Sequence, residues 1–282
     1  MKLDRTRFGP AGYPIDAPKE KAFSYLKEIG LDAMEYQAVR AIPKNEKLLG
    51  WIKEEASEND IALSLHAPYA INLASADGGK RKASLERILK SAIAADRMGA
   101  EHITFHPGYY SGLSPDEALK IAIKGLSSVI QEIKDQGLDV ELGPETTGKP
   151  SQLGSLDEVL KMAEDLDMVV PTIDFAHIHV RDGGIIKGRE DYERILEEIE
   201  RRLGSLDGLV VHFTEVEATK TGYGEKMHHD LGSGYGPDFD PLAQLMVEHD
   251  VKWLVISESP ILERDSVKMK NIYESYLRNR GG

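Results

Sequence analysis

Short apolar runs alternate along the chain with longer stretches in which apolar residues recur every three or four positions. The short runs are RFGPAG, DAMEYQA, IALSLHA, EHITFHPG, DVELGPE, VVPTIDFAH, GLVVHFTE and KWLVISES, and their pattern predicts strands. Helices are predicted for KEKAFSYLKEIG, which ends in a glycine, for KRKASLERILKSAIAADRMGA, and for SPDEALKIAIKGLSSVIQEIKDQG, which opens with a serine cap and a first-turn proline. SLDEVLKMAEDLDM, REDYERILEEIERRLG, DFDPLAQLMVEHD and ERDSVKMKNIYESYLRN complete the helical set. Each strand is read as followed by a helix.

Alternating strands and helices imply a parallel sheet. Eight such units in 282 residues fit a closed (β/α)8 TIM barrel, for which about 250 residues is typical. An open, doubly wound sheet ordinarily carries a glycine-rich phosphate turn after its first strand; FGPAGYP does not match one. No Ser/Gly linker or break in composition divides the chain, so residues 1–282 read as a single TIM-barrel domain.

Composition narrows the chemistry. Cysteine is absent, so any metal must be held by nitrogen and oxygen. The opening MKLDRTRFGP has no apolar signal region, and no apolar run reaches the roughly 18 residues of a membrane span. A cytoplasmic location is expected. The net charge of −13 argues against binding nucleic acid over the whole surface, yet permits a local basic groove or a carboxylate cluster that holds cations.

In a barrel the active site lies at the C-terminal ends of the strands. Six consecutive strands end there in a metal-ligand type: His66 in LSLHAP, His106 in ITFHPG, Glu145 in ELGPET, Asp174 followed by His177 in TIDFAH, His212 in VVHFTE and Glu258 in VISES. The loop after the seventh strand carries the pair His228 and His229 in EKMHHDLGSG. One histidine after an apolar strand is ordinarily a hydrogen-bonded structural residue; six strands in a row are not a set of accidents. Imidazole and carboxylate suit zinc, manganese or iron. Three carboxylates on adjacent strand ends repel one another unless cations lie between them. His102, before the fourth strand, His249, at a helix end, and His179 read as structural.

With these residues the chain resembles the endonuclease IV family within the xylose-isomerase-like TIM barrels. The resemblance rests on HAPYAINLAS (66–75), FHPG (105–108), ETTGKPSQLGSLDE (145–158), IDFAH (173–177) and HHDLGSG (228–234), in that order. It implies a zinc site of two or three ions, manganese being the alternative. The enzyme would hydrolyse the phosphodiester 5′ to an abasic site in DNA through a metal-bridged hydroxide, acting as a monomer. By resemblance, His66, His106 and Glu145 hold a first ion. Glu145 bridges to a second, completed by Asp174, His212 and Glu258, and serves as the catalytic residue that orients the nucleophile. His177 and His228 hold a third ion.

The sequence also departs from that family. An aspartate is usual two residues before the third-site histidine; here the position is Lys226, with Glu225 and Asp230 as candidate substitutes. Lys226 is read as a substrate contact beside the site, and Lys226→Asp is expected to strengthen the third ion. Tyr69 matches a DNA-facing position, but its neighbour is Ala70, too small for a wedge. Arg40, after the second strand, is the candidate stand-in for an intercalating arginine. A second reading is a sugar isomerase or epimerase on the same fold. There Glu145, Asp174, His212 and Glu258 hold one manganese or cobalt ion, the two glutamates move a proton beside a carbonyl, and the substrate is a small sugar or sugar phosphate.

Overall fold

The computed structural model describes residues 3–280. Eight parallel strands form its centre: Arg7–Pro10, Ala33–Gln37, Ala62–His66, His102–Phe105, Glu141–Pro144, Thr172–Asp174, Val210–Phe213 and Leu254–Ser257. In this numbering, the second to fifth make one four-stranded sheet, and the first, eighth, seventh and sixth make another. Single parallel bridges join the two sheets, Ala11 to Glu35 on one side, and Leu142 to Val169 and Glu145 to Thr172 on the other, which closes the barrel. Closure leaves no exposed sheet edge.

The outer helices are amphipathic and lay their apolar stripes on the barrel. Pro115–Asp135 buries Ala118, Ala122, Leu126, Val129, Ile130 and Ile133, spaced to fall on one face. Its start is a capping box: the Ser114 side chain accepts the Glu117 amide, and the Glu117 carboxylate accepts the Ser114 amide. The helix missing from the sequence pattern is Glu46–Asn59, capped by Asn45, with Leu49, Ile52 and Ala56 buried. Those are three inward positions among many charged ones, which dilutes the signal. Burial of each large apolar side chain contributes about 1.5–3 kcal/mol, so the fold rests on this shell. No helix among the described residues is long and apolar enough to cross a membrane.

Two antiparallel elements decorate the C-terminal face of the barrel. Gly108–Tyr109 pairs with Gln152–Leu153, and Glu215–Ala218 pairs with Glu225–His229. Glu217 pairs with Met227 while Ala218 pairs with Glu225, so Lys226 is the extra residue of a β-bulge.

The glycine-rich loop after this hairpin wraps a carboxylate. Glu215 accepts the amides of Gly232, Tyr235 and Gly236 and the hydroxyl of Ser233. Gly232, Gly234 and Gly236 have φ of 91°, 83° and 76°, a backbone region open mainly to glycine, and this lets the amides converge. The run LGSGYG is therefore the cradle of Glu215.

Candidate metal centre

The strand ends bring three groups of donor atoms together: His66, His106 and Glu145; Glu145, Asp174, His212 and Glu258; and His177, Glu225 and His228. Every sequence-predicted metal residue is in one of them, and Glu145 belongs to two. Its Oε2 lies 3.3 Å from His66 Nε2 and 2.9 Å from His106 Nε2. Its Oε1 lies 3.2 Å from His212 Nδ1, which is 3.4 Å from Glu258 Oε1. In the third group the Glu225 oxygens are 3.5 Å from His177 Nε2 and 3.5 Å from His228 Nε2.

Local structure aims these side chains. Asp174 ends the sixth strand and caps the short helix Phe175–Arg181; its Oδ1 accepts the His177 amide at 2.8 Å. The Asp-x-x-His spacing thus puts a carboxylate and an imidazole at one helix start. Three imidazoles are held by a backbone carbonyl through Nδ1, which leaves Nε2 toward the cluster. The carbonyls are those of Ala67 for His66 at 2.8 Å, Thr146 for His177 at 2.8 Å and Glu258 for His228 at 3.2 Å. A partner on the second ring nitrogen is what orients an imidazole ligand.

The electrostatics demand counter-charge. Two like charges 4 Å apart repel by about 4 kcal/mol at an effective dielectric near 20. Several such pairs would consume the roughly 5–15 kcal/mol that keeps a domain folded. Without cations, protons supply the balance. Burial pushes His66 down, but the Glu145 hydrogen bond and charge outweigh it and hold the imidazole up at about 9. His177 and His212 are likewise driven well above the usual histidine range, neighbouring carboxylates overcoming burial. The hydrogen bond to His177 holds Glu225 down at about 2. Glu145 and Asp174 move in opposite directions. Burial opposes the charge on Glu145, but His106 and His212 keep it ionised well below the usual range. Burial lifts Asp174 to about 7, with His177 opposing and Glu258 and Glu145 reinforcing.

The donor set fits divalent cations. Asp174 Oδ2 and His228 Nε2 are buried without a hydrogen bond, one in each of two groups, and Glu145 Oε2 faces only the His66 and His106 imidazoles. Leaving such atoms unmet costs about 1–3 kcal/mol each. The cluster opens onto a cavity of about 310 Å³ edged by Tyr69, Tyr109, Lys149, Gln152, Glu225 and Glu258. A larger cavity, about 660 Å³, lies beside Leu231, Phe239 and Ile272, away from all three groups.

Some residues fall elsewhere than expected. The Lys226 ammonium is paired with Glu217 at 2.5 Å, and Lys226 does not line the cavity. The bulge takes Lys226 out of the ladder and puts Glu225, three residues before His228, on the histidine's side. Lys226 thus stands outside the cavity lining, and the acidic residue that meets His228 is Glu225. Arg40 is exposed and outside the cavity lining, on the loop whose Val39 carbonyl accepts the Tyr69 amide. Tyr69 stands at the rim, 57% exposed. His229 stacks on Tyr235 with centroids 4.0 Å apart and meets Glu217 at 3.3 Å, away from the donor groups. His179 accepts the Ile186 amide, and His102 is buried with its Nε2 2.9 Å from the Val170 carbonyl. Tyr110 packs its loop, its hydroxyl between Glu158 and Arg181.

One residue of the centre escaped the sequence pattern. Glu35 is buried in the second strand, its Oε2 3.1 Å from His212 Nε2. It lies inside the strand and not at its end, so strand-end reasoning passes it over.

The model of the xylose isomerase-like TIM barrel family matches residues 23–273, and the chain belongs to that family. An uncharacterized protein of Methanocaldococcus jannaschii is 34% identical over 269 residues, covering 94% of this chain and 96% of the relative. A probable endonuclease 4 of Aquifex aeolicus is 28% identical over 226 residues, 76% of this chain and 78% of the relative. Among solved structures, endonuclease IV from Thermus thermophilus superposes with a TM-score of 0.71 at 19% identity, covering 97% of this chain and 99% of the other. The 3-keto-D-glucoside 4-epimerase of E. coli superposes with a TM-score of 0.69 at 17% identity, covering 98% and 100%. These two structural likenesses establish the barrel and leave the reaction to the side chains.

Proposed function

We propose that the protein is a metal-dependent phosphodiesterase of the endonuclease IV kind, hydrolysing the phosphodiester 5′ to an abasic site in DNA. The observation that carries this reading is the third donor group. A single-metal isomerase is served by Glu145, Asp174, His212 and Glu258; the Asp-x-x-His step to His177 is common to both readings, so the weight falls on Glu225 and His228, which converge with it on a third group. His66 and His106 also both turn Nε2 to one oxygen of Glu145, the geometry of a further ion.

In this reading His66, His106 and Glu145 hold one ion, Glu145, Asp174, His212 and Glu258 a second, and His177, Glu225 and His228 a third. Zinc suits the donors, and manganese is the alternative. Bound cations would supply an activated water and neutralise charge on the phosphoryl group. The chain's own residues do the rest. Glu145 links the first two groups and fixes their spacing. Tyr69 and Tyr109 at the rim offer aromatic faces to a sugar or base. Lys149 brings a positive charge to the mouth of an otherwise acidic cavity.

The sugar epimerase reading draws support from the second group, which is complete in itself, and from Ala70, which leaves Tyr69 without a large apolar partner. One assay separates the two. The zinc-loaded protein is expected to nick a duplex oligonucleotide 5′ to a single abasic site and to leave the undamaged duplex intact. Absence of nicking, together with epimerisation of a ketose under manganese, would establish the epimerase instead.

A further inference from the structure

Four polar side chains from four different strands converge on the carboxylate of Glu35. Its Oε2 accepts the hydroxyls of Ser64 and Thr104, each at 3.1 Å, and meets His212 Nε2 at 3.1 Å; its Oε1 accepts the Gln37 amide at 2.9 Å. Gln37 shares the second strand with Glu35, while Ser64, Thr104 and His212 come from the third, fourth and seventh. Thr104 is itself 3.0 Å from the Thr172 hydroxyl on the sixth strand. The carboxylate, Ser64, Thr104 and His212 are all fully buried.

A carboxylate at Nε2 can only accept. It therefore selects the imidazole form with its proton on Nε2 and its lone pair on Nδ1. That Nδ1 is the atom facing Glu145 and Glu258. His66 and His228 are oriented by neutral carbonyls, whereas His212 has a charged acceptor, which raises the basicity of a ligand more strongly.

We infer that Glu35 is a positioning residue that orients His212 and strengthens it as the one imidazole donor of the central metal group. This rests on the reading that the central group holds a divalent ion, which the phosphodiesterase and the epimerase share.

The test is zinc titration of the metal-free protein against a chromophoric chelator, in wild type and in the variants Glu35→Gln, Thr104→Val and Glu258→Gln. Glu35→Gln keeps the size of the side chain but allows an amide donor to face Nε2. It is expected to weaken one ion by about 10- to 100-fold and to leave the other sites unchanged. Thr104→Val, which frees one hydrogen bond to Glu35, should weaken the same ion less, and serves if Glu35→Gln does not fold. In the zinc-loaded protein the nitrogen-15 spectrum of His212 should report the Nε2–H form in wild type and a mixture in Glu35→Gln. A merely structural Glu35 would lower the unfolding midpoint of the metal-free protein and leave zinc affinity and tautomer alone, and that result overturns the inference. If Glu258→Gln loses the ion while the Glu35 and Thr104 variants keep it at wild-type affinity, Glu35 is excluded and the central site stands. If wild type takes up no zinc, or Glu258→Gln binds it as wild type does, the metal reading itself falls.

Discussion

His66 illustrates how one side chain serves two states. In the metal-free protein it carries a proton, its value raised from 6.5 to about 9 because the Glu145 hydrogen bond and charge outweigh burial. A group raised on folding contributes stability that is fully present below its unfolded value and lost as pH rises through its folded one. The His66 contribution is thus intact below about 6.5 and gone above about 9. A cation must displace that proton, so the apparent affinity of the first ion, held by His66, should climb with pH up to about 9 and level off beyond it. Titrations between neutral pH and 10 check this through the protons released on zinc binding. In His66→Ala the first ion should be lost with the fold retained and that proton release reduced; unchanged metal content in this variant would remove His66 from the ligand set. Single residues of this kind were legible in the sequence because each stands just past an apolar run, where a barrel turns outward. Glu35 was not, because nothing in DAMEYQA distinguishes a carboxylate pointing into the barrel from one pointing to solvent.

At the scale of elements, the hairpin Glu215–Ala218 with Glu225–His229 decides the third site. Residues three apart in a regular strand face opposite sides, so Glu225, one of two candidate substitutes in the sequence, needs a local irregularity to meet His228. The bulge at Lys226 restores their common face, and no composition signal marks it in advance. Two substitutions separate this arrangement from a site centred on residue 226. Glu225→Gln should lose one ion per chain. Lys226→Asp should keep the full count and lose only the solvent-screened pair with Glu217, leaving the midpoint of chemical denaturation nearly unchanged. A gain of metal in Lys226→Asp would mean that the side chain at 226 faces the site after all. The LGSGYG loop teaches the same lesson. Its glycines were visible as punctuation, but their purpose, to gather amides onto Glu215, depends on a carboxylate more than fifteen residues earlier.

Across the whole molecule, the eight strands and the closed barrel were readable from periodicity, and the matched family agrees. Strand order and closure follow from chain order in a (β/α)8 barrel, so the face carrying the site was fixed once the strands were placed. The reaction is a different matter. This chain superposes comparably on an endonuclease IV and on a sugar epimerase, so backbone alone does not separate them. What separates them is how many cations the end of the barrel gathers, since one ion serves proton transfer beside a carbonyl and several are needed to clamp a phosphodiester in displacement. Metal content per chain, by elemental analysis of protein purified without chelator and again after reconstitution with zinc, measures that number. The account requires three ions per chain, one for each donor group. A single ion that persists after reconstitution would contradict it.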